Sequence, residues 1–338
     1  MRGMKDEATT RMRSRAALAA FSAALLLGMA LDVNAQTKVR LPALTFPTII
    51  NTADDIIKAK GFDKANELDV EVVSYGTVGA EYAGIAKGEL DAGVLPPYQV
   101  TKMRGEGVPI AICATLVGMS DTHIITRDLA IKKFTDLKGR SLAATVGFSA
   151  YQYLQIYSKK LGLKLGTDIS LVDASTSLMQ AQLQANRVDA ILSWEPTSTR
   201  VLTQMPDTRI IIDGNEAWKS ATGDVGWDIV LFLNDAWMRA NPGGLERMVK
   251  MYKDYGDFVE RNPEEADAII SSEKYSTKGI PPGTIATAVK ARRLVIDVHP
   301  SWEPTSNKQI WQMIELGVNE GYIKPPEKVA VYNTAPTQ

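Results

Sequence analysis

The hexapeptide SWEPTS occurs twice in this sequence, at residues 193–198 and 301–306, and each copy sets a tryptophan beside a glutamate. A tryptophan face next to a carboxylate can hold an amine or an aromatic ring. The first copy follows the apolar run VDAIL, so Trp194 and Glu195 are predicted to emerge at the carboxyl end of a buried strand, where α/β sheets bind ligands. We therefore expect both residues to contact a ligand; the alternative is a rim tryptophan beside a solvated acid.

The second copy lies in a different context. It precedes SNKQIWQMIELGV, in which apolar residues recur at helical spacing, and Ser306 and Gln309 have the spacing of a capping box. This copy is predicted to begin a helix, with Pro304 just before the helix and Glu303 in solvent. We interpret the repeat as coincidental rather than functional.

The segment TVGFSAYQ combines a strand end with Gly147, Phe148 and Ser149 at the start of a predicted helix. Free N–H groups and the positive end of a helix dipole favour an anion at such a turn, and glycine permits close approach. We expect ligand contact from all three residues; the alternative is that Ser149 only caps the helix. GFSAY also resembles the G-x-S-x-G turn of serine hydrolases, but Tyr151 occupies the position of the last glycine.

The composition restricts the remaining chemistry. Two histidines and one cysteine provide no metal cluster of usual spacing and few pairs of nucleophile and base. We therefore expect no metal, no cofactor and no enzyme activity, with a hydrolase that uses Ser149 as the less favoured alternative. Cys113 cannot form a disulfide within the chain. The net charge of −1 provides no basic field for nucleic acid, so no nucleic-acid partner is predicted.

Residues 1–35 are predicted to form a cleavable signal peptide. Basic residues precede the apolar run AALAAFSAALLLGMALDV, and Val33 and Ala35 form the small-residue cleavage site. The alternative is an uncleaved membrane anchor, because the run approaches the length of a spanning helix. Cleavage after Ala35 would release a periplasmic protein, which we expect to be a monomer.

From Lys38 onward, short apolar runs alternate with amphipathic stretches of helical length, which is the pattern of an α/β fold with mostly parallel strands. Two such series precede an almost wholly helical last third. The sequence therefore predicts two α/β lobes with a ligand cleft between them. Polar segments that contain glycine, LVGMSDTH and NEAWKSATGDVGWD, indicate where the chain passes from one lobe to the other.

The order of several segments resembles the periplasmic solute-binding proteins of nitrate, sulfonate and taurine ABC transporters, together with their relatives that bind thiamine-pyrimidine precursors. The matching segments are ALTFPTII, AKGFDKANELDVEVVSYG, GIAKGELDAGVLPP, TDLKGRSLAATVGFSAYQYLQIYSKKLGL, RVDAILSWEP and FVERNPEEADAII. The resemblance implies two α/β lobes joined by two crossover strands, with a helical C-terminal part. It implies that residues 37–118 and 228–338 form the first lobe and residues 122–215 the second.

The resemblance also implies a function and further site residues. The protein would capture a small organic solute or an oxyanion, similar to a sulfonate, taurine or nitrate, and deliver it to an ABC permease and ATPase in the inner membrane. A binder of a pyrimidine or an aromatic acid is the alternative. Trp227 and Asp228 would border the cleft, although Asp228 could instead anchor the hinge. The other residues expected at the cleft are Thr45, Phe46, Leu95, Pro96 and Thr122, of which Phe46 could equally belong to the core.

Overall fold

The structure is a computed structural model that describes residues 36–45, 48, 52–274, 279–326 and 330–332. Its strands are β1 (Thr37–Leu44), β2 (Leu68–Tyr75), β3 (Ala92–Leu95), β4 (Ile110–Gly118), β5 (Thr122–Thr126), β6 (Ser141–Ala144), β7 (Ser170–Asp173), β8 (Ala190–Trp194), β9 (Arg209–Asp213) and β10 (Trp227–Asn234). The signal-peptide prediction and Phe46 lie outside the described residues.

The helices described are α1 (Thr52–Lys60), α2 (Phe62–Ala65), α3 (Val78–Ala86), α4 (Pro97–Gly105), α5 (Ser149–Lys160), α6 (Thr176–Gln184), α7 (Thr197–Gln204), α8 (Gly214–Thr222), α9 (Asp235–Ala240), α10 (Gly244–Arg261), α11 (Pro263–Ser271), α12 (Thr284–Lys290) and α13 (Pro304–Asn319). Short 3-10 turns span Met119–Asp121 and Phe134–Leu137. The helix predicted after the second hexapeptide is α13. Its first turn has no side-chain cap, so the predicted capping box is wrong: Ser306 Oγ instead donates to the carbonyl of Pro300.

Two sheets divide these elements into bodies that we call lobes. The first lobe is built on the sheet β3-β10-β4 and the second lobe on the sheet β7-β6-β8-β5-β9, while β1 and β2 form a two-stranded sheet. β6 pairs in parallel with β7 and β8, as the alternating pattern predicts. β5 and β10 run antiparallel to both of their neighbours. Each of these two strands follows a crossing from the other lobe, so it enters its sheet from the opposite direction.

Helices cover both faces of each large sheet. This explains why the central strands are continuous apolar runs rather than alternating ones. All of β4 is buried, and Asp228 is the one residue of β10 that is not. Side chains of α10 and α12 pack on one face of the first sheet, and those of α4 and α13 on the other. In the second lobe, α5 and α8 lie on one face, and α6 and α7 on the other.

The chain passes between the lobes at two places. The first crossing is the 3-10 turn Met119–Asp121 between β4 and β5, and the second runs through α8 and residues 223–226 from β9 to β10. The two crossings contact each other at Gly214, the first residue of α8. A Cβ atom at Gly214 would lie 2.5 Å from the backbone oxygen of Met119 and 3.1 Å from the Cβ of Thr122. The absence of a side chain therefore permits this contact.

We expect Gly214→Ala to lower the free energy of unfolding by about 1 to 3 kcal/mol, because backbone must move to admit the methyl group. Denaturant melts would measure the effect. Gly118→Ala is the matched control at the end of β4, since its added Cβ would meet only Ser120 Oγ, at 4.0 Å. That variant should stay within about 1 kcal/mol of the parent protein. Equal losses at the two positions would contradict the close contact between the crossings.

Candidate functional site

A cavity of about 520 Å³ lies between the two lobes. The first lobe lines it with residues from β1, α3 and the turn between β3 and α4. The second lobe lines it with the starts of α5, α6 and α7 and the end of β8. Asp121 from the first crossing and Asp228, just after the second crossing, complete the lining. This volume is in the range of sites that bind small organic molecules, about 300 to 1,000 Å³.

The starts of α5 and α6, on the second-lobe side of the cavity, have no side-chain caps. Phe148 precedes α5 and Ser175 precedes α6, and neither side chain accepts a hydrogen bond from the first turn of its helix. By contrast, Thr77 caps α3 and Asp213 caps α8. Uncapped N–H groups favour a ligand acceptor or an anion. Ser149 is the first helical residue of α5 rather than its cap, so the capping alternative does not describe its position.

Aromatic rings form part of the wall. The rings of Phe148 and Trp194 lie 5.4 Å apart, centroid to centroid, at an angle of 35°. Phe148 is 42% exposed although it is a large apolar residue, and Tyr82 of α3 lines the cavity from the first lobe. An aromatic residue that remains exposed at a cavity can cover an apolar or cationic part of a ligand. The space around Gly147 is open, since an added Cβ would meet no atom within 4 Å.

Two unpaired side chains of opposite charge line the cavity from different lobes. Glu81 of α3 is 3% exposed, and its carboxyl has no hydrogen bond or ion pair among the described residues. Burial raises the pKa of Glu81 to about 7. Arg200 of α7 likewise has no side-chain partner in the described parts of the chain, and its Nε atom is buried. Burial of a charge without a partner is unfavourable, so a ligand that supplies partners would be stabilised here.

Two further carboxyl groups meet where the crossings approach each other. Asp121 and Asp228 interact with each other electrostatically, and Asp121 accepts a hydrogen bond from Thr122 Oγ1 at 3.2 Å. Burial, followed by the negative charge of Asp228, raises the pKa of Asp121 well above its usual range. Asp228 is only partly buried, and the loss of solvent around its carboxyl raises its pKa to about 6. The pair therefore holds a shared proton more readily than two separate aspartates would.

Seven of the twelve residues proposed from the sequence line this cavity, namely Leu95, Pro96, Gly147, Phe148, Ser149, Trp194 and Asp228. Ligand contact by these residues stays a prediction. Thr45 is exposed and Thr122 is buried, and neither lines the cavity. Trp227 is 5% exposed and donates its indole N–H to Gln309 Oε1 at 3.0 Å, away from the cavity lining.

Glu195 is also placed outside the cavity lining. Its carboxylate is fully buried, accepts hydrogen bonds from the backbone and side chain of Thr199, and lies 2.9 Å from Arg293 Nε. Arg293 follows α12, on the first-lobe side, so this ion pair joins the two lobes. Burial raises the pKa of Glu195, and the charge of Arg293 opposes that rise. Glu303 in the second hexapeptide is 50% exposed, as the sequence predicts.

Sequence reasoning did not identify Glu81, Asp121 or Arg200. Glu81 lies in a helix where a charged residue is usually in solvent, and Asp121 lies in a polar crossing segment whose fold the sequence does not specify. Arg200 lies two residues after the first hexapeptide. Its position on a helix that follows a strand end could have indicated that it lies near the cavity. Each residue reaches the cavity only because distant elements pack around it.

Among the described residues, no group of three or more His, Cys, Asp or Glu side chains could hold a metal ion. Within the same residues, no helix has the length and apolar character needed to cross a membrane.

Comparisons with known proteins place this architecture in a family. Residues 56–266 match the family described as NMT1/THI5 like. No curated protein sequence is significantly similar to this chain. The periplasmic aliphatic sulphonate binding protein SsuA from Escherichia coli is 18% identical with a TM-score of 0.71, over 87% of this chain and 95% of that chain.

Two more solved structures are similar. The alkanesulfonate-binding protein SsuA from Xanthomonas axonopodis pv. citri, bound to MOPS, is 17% identical with a TM-score of 0.68, over 88% of this chain and 98% of that chain. The periplasmic nitrate-binding protein NrtA from Synechocystis PCC 6803 is 16% identical with a TM-score of 0.62, over 87% of this chain and 84% of that chain. This chain therefore belongs to the NMT1/THI5-like family and has the two-lobed fold of periplasmic binding proteins.

Proposed function

We propose that this protein is the periplasmic solute-binding component of an ABC importer, which captures a small organic solute between its lobes and delivers it to a membrane permease and ATPase. The observation that carries the proposal is the cavity of about 520 Å³, which both lobes and the crossings line. The similar structures named above are binding proteins for sulfonates and nitrate, which supports the same role here. Domain boundaries at residues 37–118 with 228–338, and at 122–215, are part of this proposal, as is a monomeric state.

The size of the cavity favours an organic solute over a small inorganic anion. A water molecule occupies about 30 Å³ in the liquid, so a nitrate ion would leave most of this cavity empty or filled with solvent. The adjacent Phe148 and Trp194 rings support a solute with an apolar or aromatic part. A pyrimidine or an aromatic acid is therefore the second candidate, on the same fold.

Catalysis is not part of the proposal. Ser149 lines the cavity, but neither histidine of the chain does. His123 is buried with its Nδ1 atom 2.9 Å from Ser198 Oγ, and burial, together with the charge of Arg293, lowers its pKa to about 3. A serine nucleophile needs a base within hydrogen-bond reach. No histidine lies in the described cavity lining with Ser149 to act as that base.

Thermal unfolding of the purified protein with a panel of sulfonates, aromatic acids, pyrimidines and amines tests the function. A solute at one hundred times its dissociation constant should stabilise the protein by about 2.7 kcal/mol. Phe148→Ala should reduce that stabilisation because it removes part of the cavity wall. Leu129→Ala is the control, since Leu129 is 77% exposed and does not line the cavity. If no solute stabilises the protein, or if both variants respond alike, the proposal is wrong.

A further inference from the structure

The charges around the cavity do not balance. Among the described residues of its lining, three carry carboxyl groups, Glu81, Asp121 and Asp228, and one is basic, Arg200. Asp121 is 1% exposed and Glu81 is 3% exposed, so water screens these two carboxyls poorly. Even with one proton shared by the aspartates, the lining carries more negative than positive charge once Glu81 ionises above its pKa of about 7. A simple anion in this cavity would be repelled on the first-lobe side.

Glu81 is the strongest sign that a ligand completes the site. The other two carboxyls interact with each other electrostatically, and Asp121 also accepts a hydrogen bond from Thr122 Oγ1. Glu81 has no hydrogen-bond or ion-pair partner in the described parts of the chain, yet it is only 3% exposed. Buried carboxylates are normally paired, since an unpaired one costs several kcal/mol. A cationic group on a ligand is the partner that its position lacks.

The residues around Glu81 suit an organic cation better than a metal ion. The carboxyls come from α3 and from the two crossings, and no three acidic, histidine or cysteine side chains of the described residues could hold one metal ion. An ammonium group needs only one or two carboxylates within hydrogen-bond distance, together with apolar or aromatic surface for the rest of the molecule. Phe148, Trp194 and Tyr82 provide such surface on the same cavity.

We propose that Glu81 forms an ammonium-binding subsite on the first-lobe wall of the cavity, so that the captured solute is an organic amine. This inference depends on the proposed solute-binding function and names the class of solute. On the second-lobe side, Arg200 and the uncapped starts of α5 and α6 favour a negatively charged group or a carbonyl on the same molecule. Glu81 is then the residue that selects amines over simple anions.

Calorimetric titration with two matched pairs of probes tests the subsite. Taurine and isethionate differ only in an ammonium group against a hydroxyl group, and so do benzylamine and benzyl alcohol. We expect the amine of at least one pair to bind at least tenfold more tightly than its hydroxyl analogue. Glu81→Gln should weaken amine binding at least tenfold, because the neutral amide cannot neutralise an ammonium group. Glu71→Gln, an exposed change on β2, should leave it unchanged.

The sign of the pH dependence provides a second readout. Tyr75 from β2 and Tyr82 on its own helix interact with Glu81, and Asp121, Asp228 and Arg200 line the same cavity. Of these, Asp228 has a pKa of about 6, which together with the pKa of about 7 for Glu81 falls between pH 5 and pH 8. An amine bound at Glu81 must displace the proton from that carboxyl, so its affinity should rise about tenfold between pH 6 and pH 8. A simple anion should show the opposite trend.

The outcomes separate the subsite from the function. If isethionate or another amine-free anion binds more tightly than its amine partner, or if Glu81→Gln leaves amine affinity unchanged, the subsite is wrong and solute capture stands. If neither member of either pair binds, and the wider panel of solutes also fails, then the solute-binding function falls and the subsite falls with it.

Discussion

Arg293→Ala should lower the free energy of unfolding by about 3 to 5 kcal/mol at pH 8, because it leaves a buried carboxylate without its cation. Glu195 is fully buried, and the Arg293 side chain is 19% exposed, with Nε 2.9 Å from Glu195 Oε1. Arg293 also donates to Thr199 Oγ1 at 2.9 Å, so one guanidinium serves two buried acceptors. Denaturant unfolding monitored by circular dichroism would measure the loss.

The neighbouring arginine supplies a matched control. Arg292 is 65% exposed in its side chain and lies 2.6 Å from Glu260. Exposed ion pairs contribute about 0 to 1 kcal/mol, so Arg292→Ala should have an effect of that size. If the two arginines prove equivalent, the ion pair between the lobes does not have the burial that we describe.

The loss in Arg293→Ala should also depend on pH. Without the arginine, Glu195 can avoid a buried charge by binding a proton, so its folded-state pKa would lie further above that of the unfolded chain. A raised folded-state pKa of an acid means that stability falls as the pH rises through the interval between the two values. We therefore expect a smaller loss at pH 5 than at pH 8. A constant loss would indicate that Arg293 acts through packing rather than through its charge.

The two hexapeptides show what local sequence determines and what it does not. β8 ends at Trp194, inside the first copy, as the apolar run predicts, whereas α13 begins at Pro304, inside the second copy, although the sequence places Pro304 just before the helix. The partner of Glu195 is 98 residues away in sequence, so no local pattern indicates it. The sequence predicted ligand contact for Glu195, but its carboxylate contacts Thr199 and Arg293 in the structure. An identical hexapeptide thus places its glutamate in a buried pair in one context and near solvent in the other.

The same limit applies to the cavity. The sequence located Gly147, Phe148 and Ser149 at a helix start because a strand, a glycine and an amphipathic stretch lie within a few residues of one another. It did not indicate that Glu81 would be buried, because burial of α3 depends on residues far along the chain. It also did not indicate the reversed direction of β5 and β10, because strand direction depends on how the chain crosses between the lobes.

The second large effect is expected at the carboxyl pair. Asp228→Asn should make the free energy of unfolding less sensitive to rising pH, because the amide can donate a hydrogen bond to the Asp121 carboxylate and favour its ionised form. In the parent protein both folded-state pKa values lie above those of the unfolded chain, with Asp228 at about 6. The folded protein then holds a proton that the unfolded chain has already released, so stability falls as the pH rises through this window.

Between pH 5 and pH 8, we expect the free energy of unfolding of the parent protein to fall by about 1 to 3 kcal/mol relative to that of Asp228→Asn. Each unit of difference between the folded-state and unfolded-state pKa corresponds to about 1.4 kcal/mol. Urea melts of both proteins at several pH values would give this difference. Asp224→Asn is the control: Lys308 lowers the pKa of Asp224, so its contribution is already complete at pH 5 and the difference curve should be flat. A flat curve for Asp228→Asn as well would mean that the two aspartates do not share a proton. The cavity would then carry a full additional negative charge at neutral pH, and its preference for an amine over an anion should be stronger than a shared proton allows.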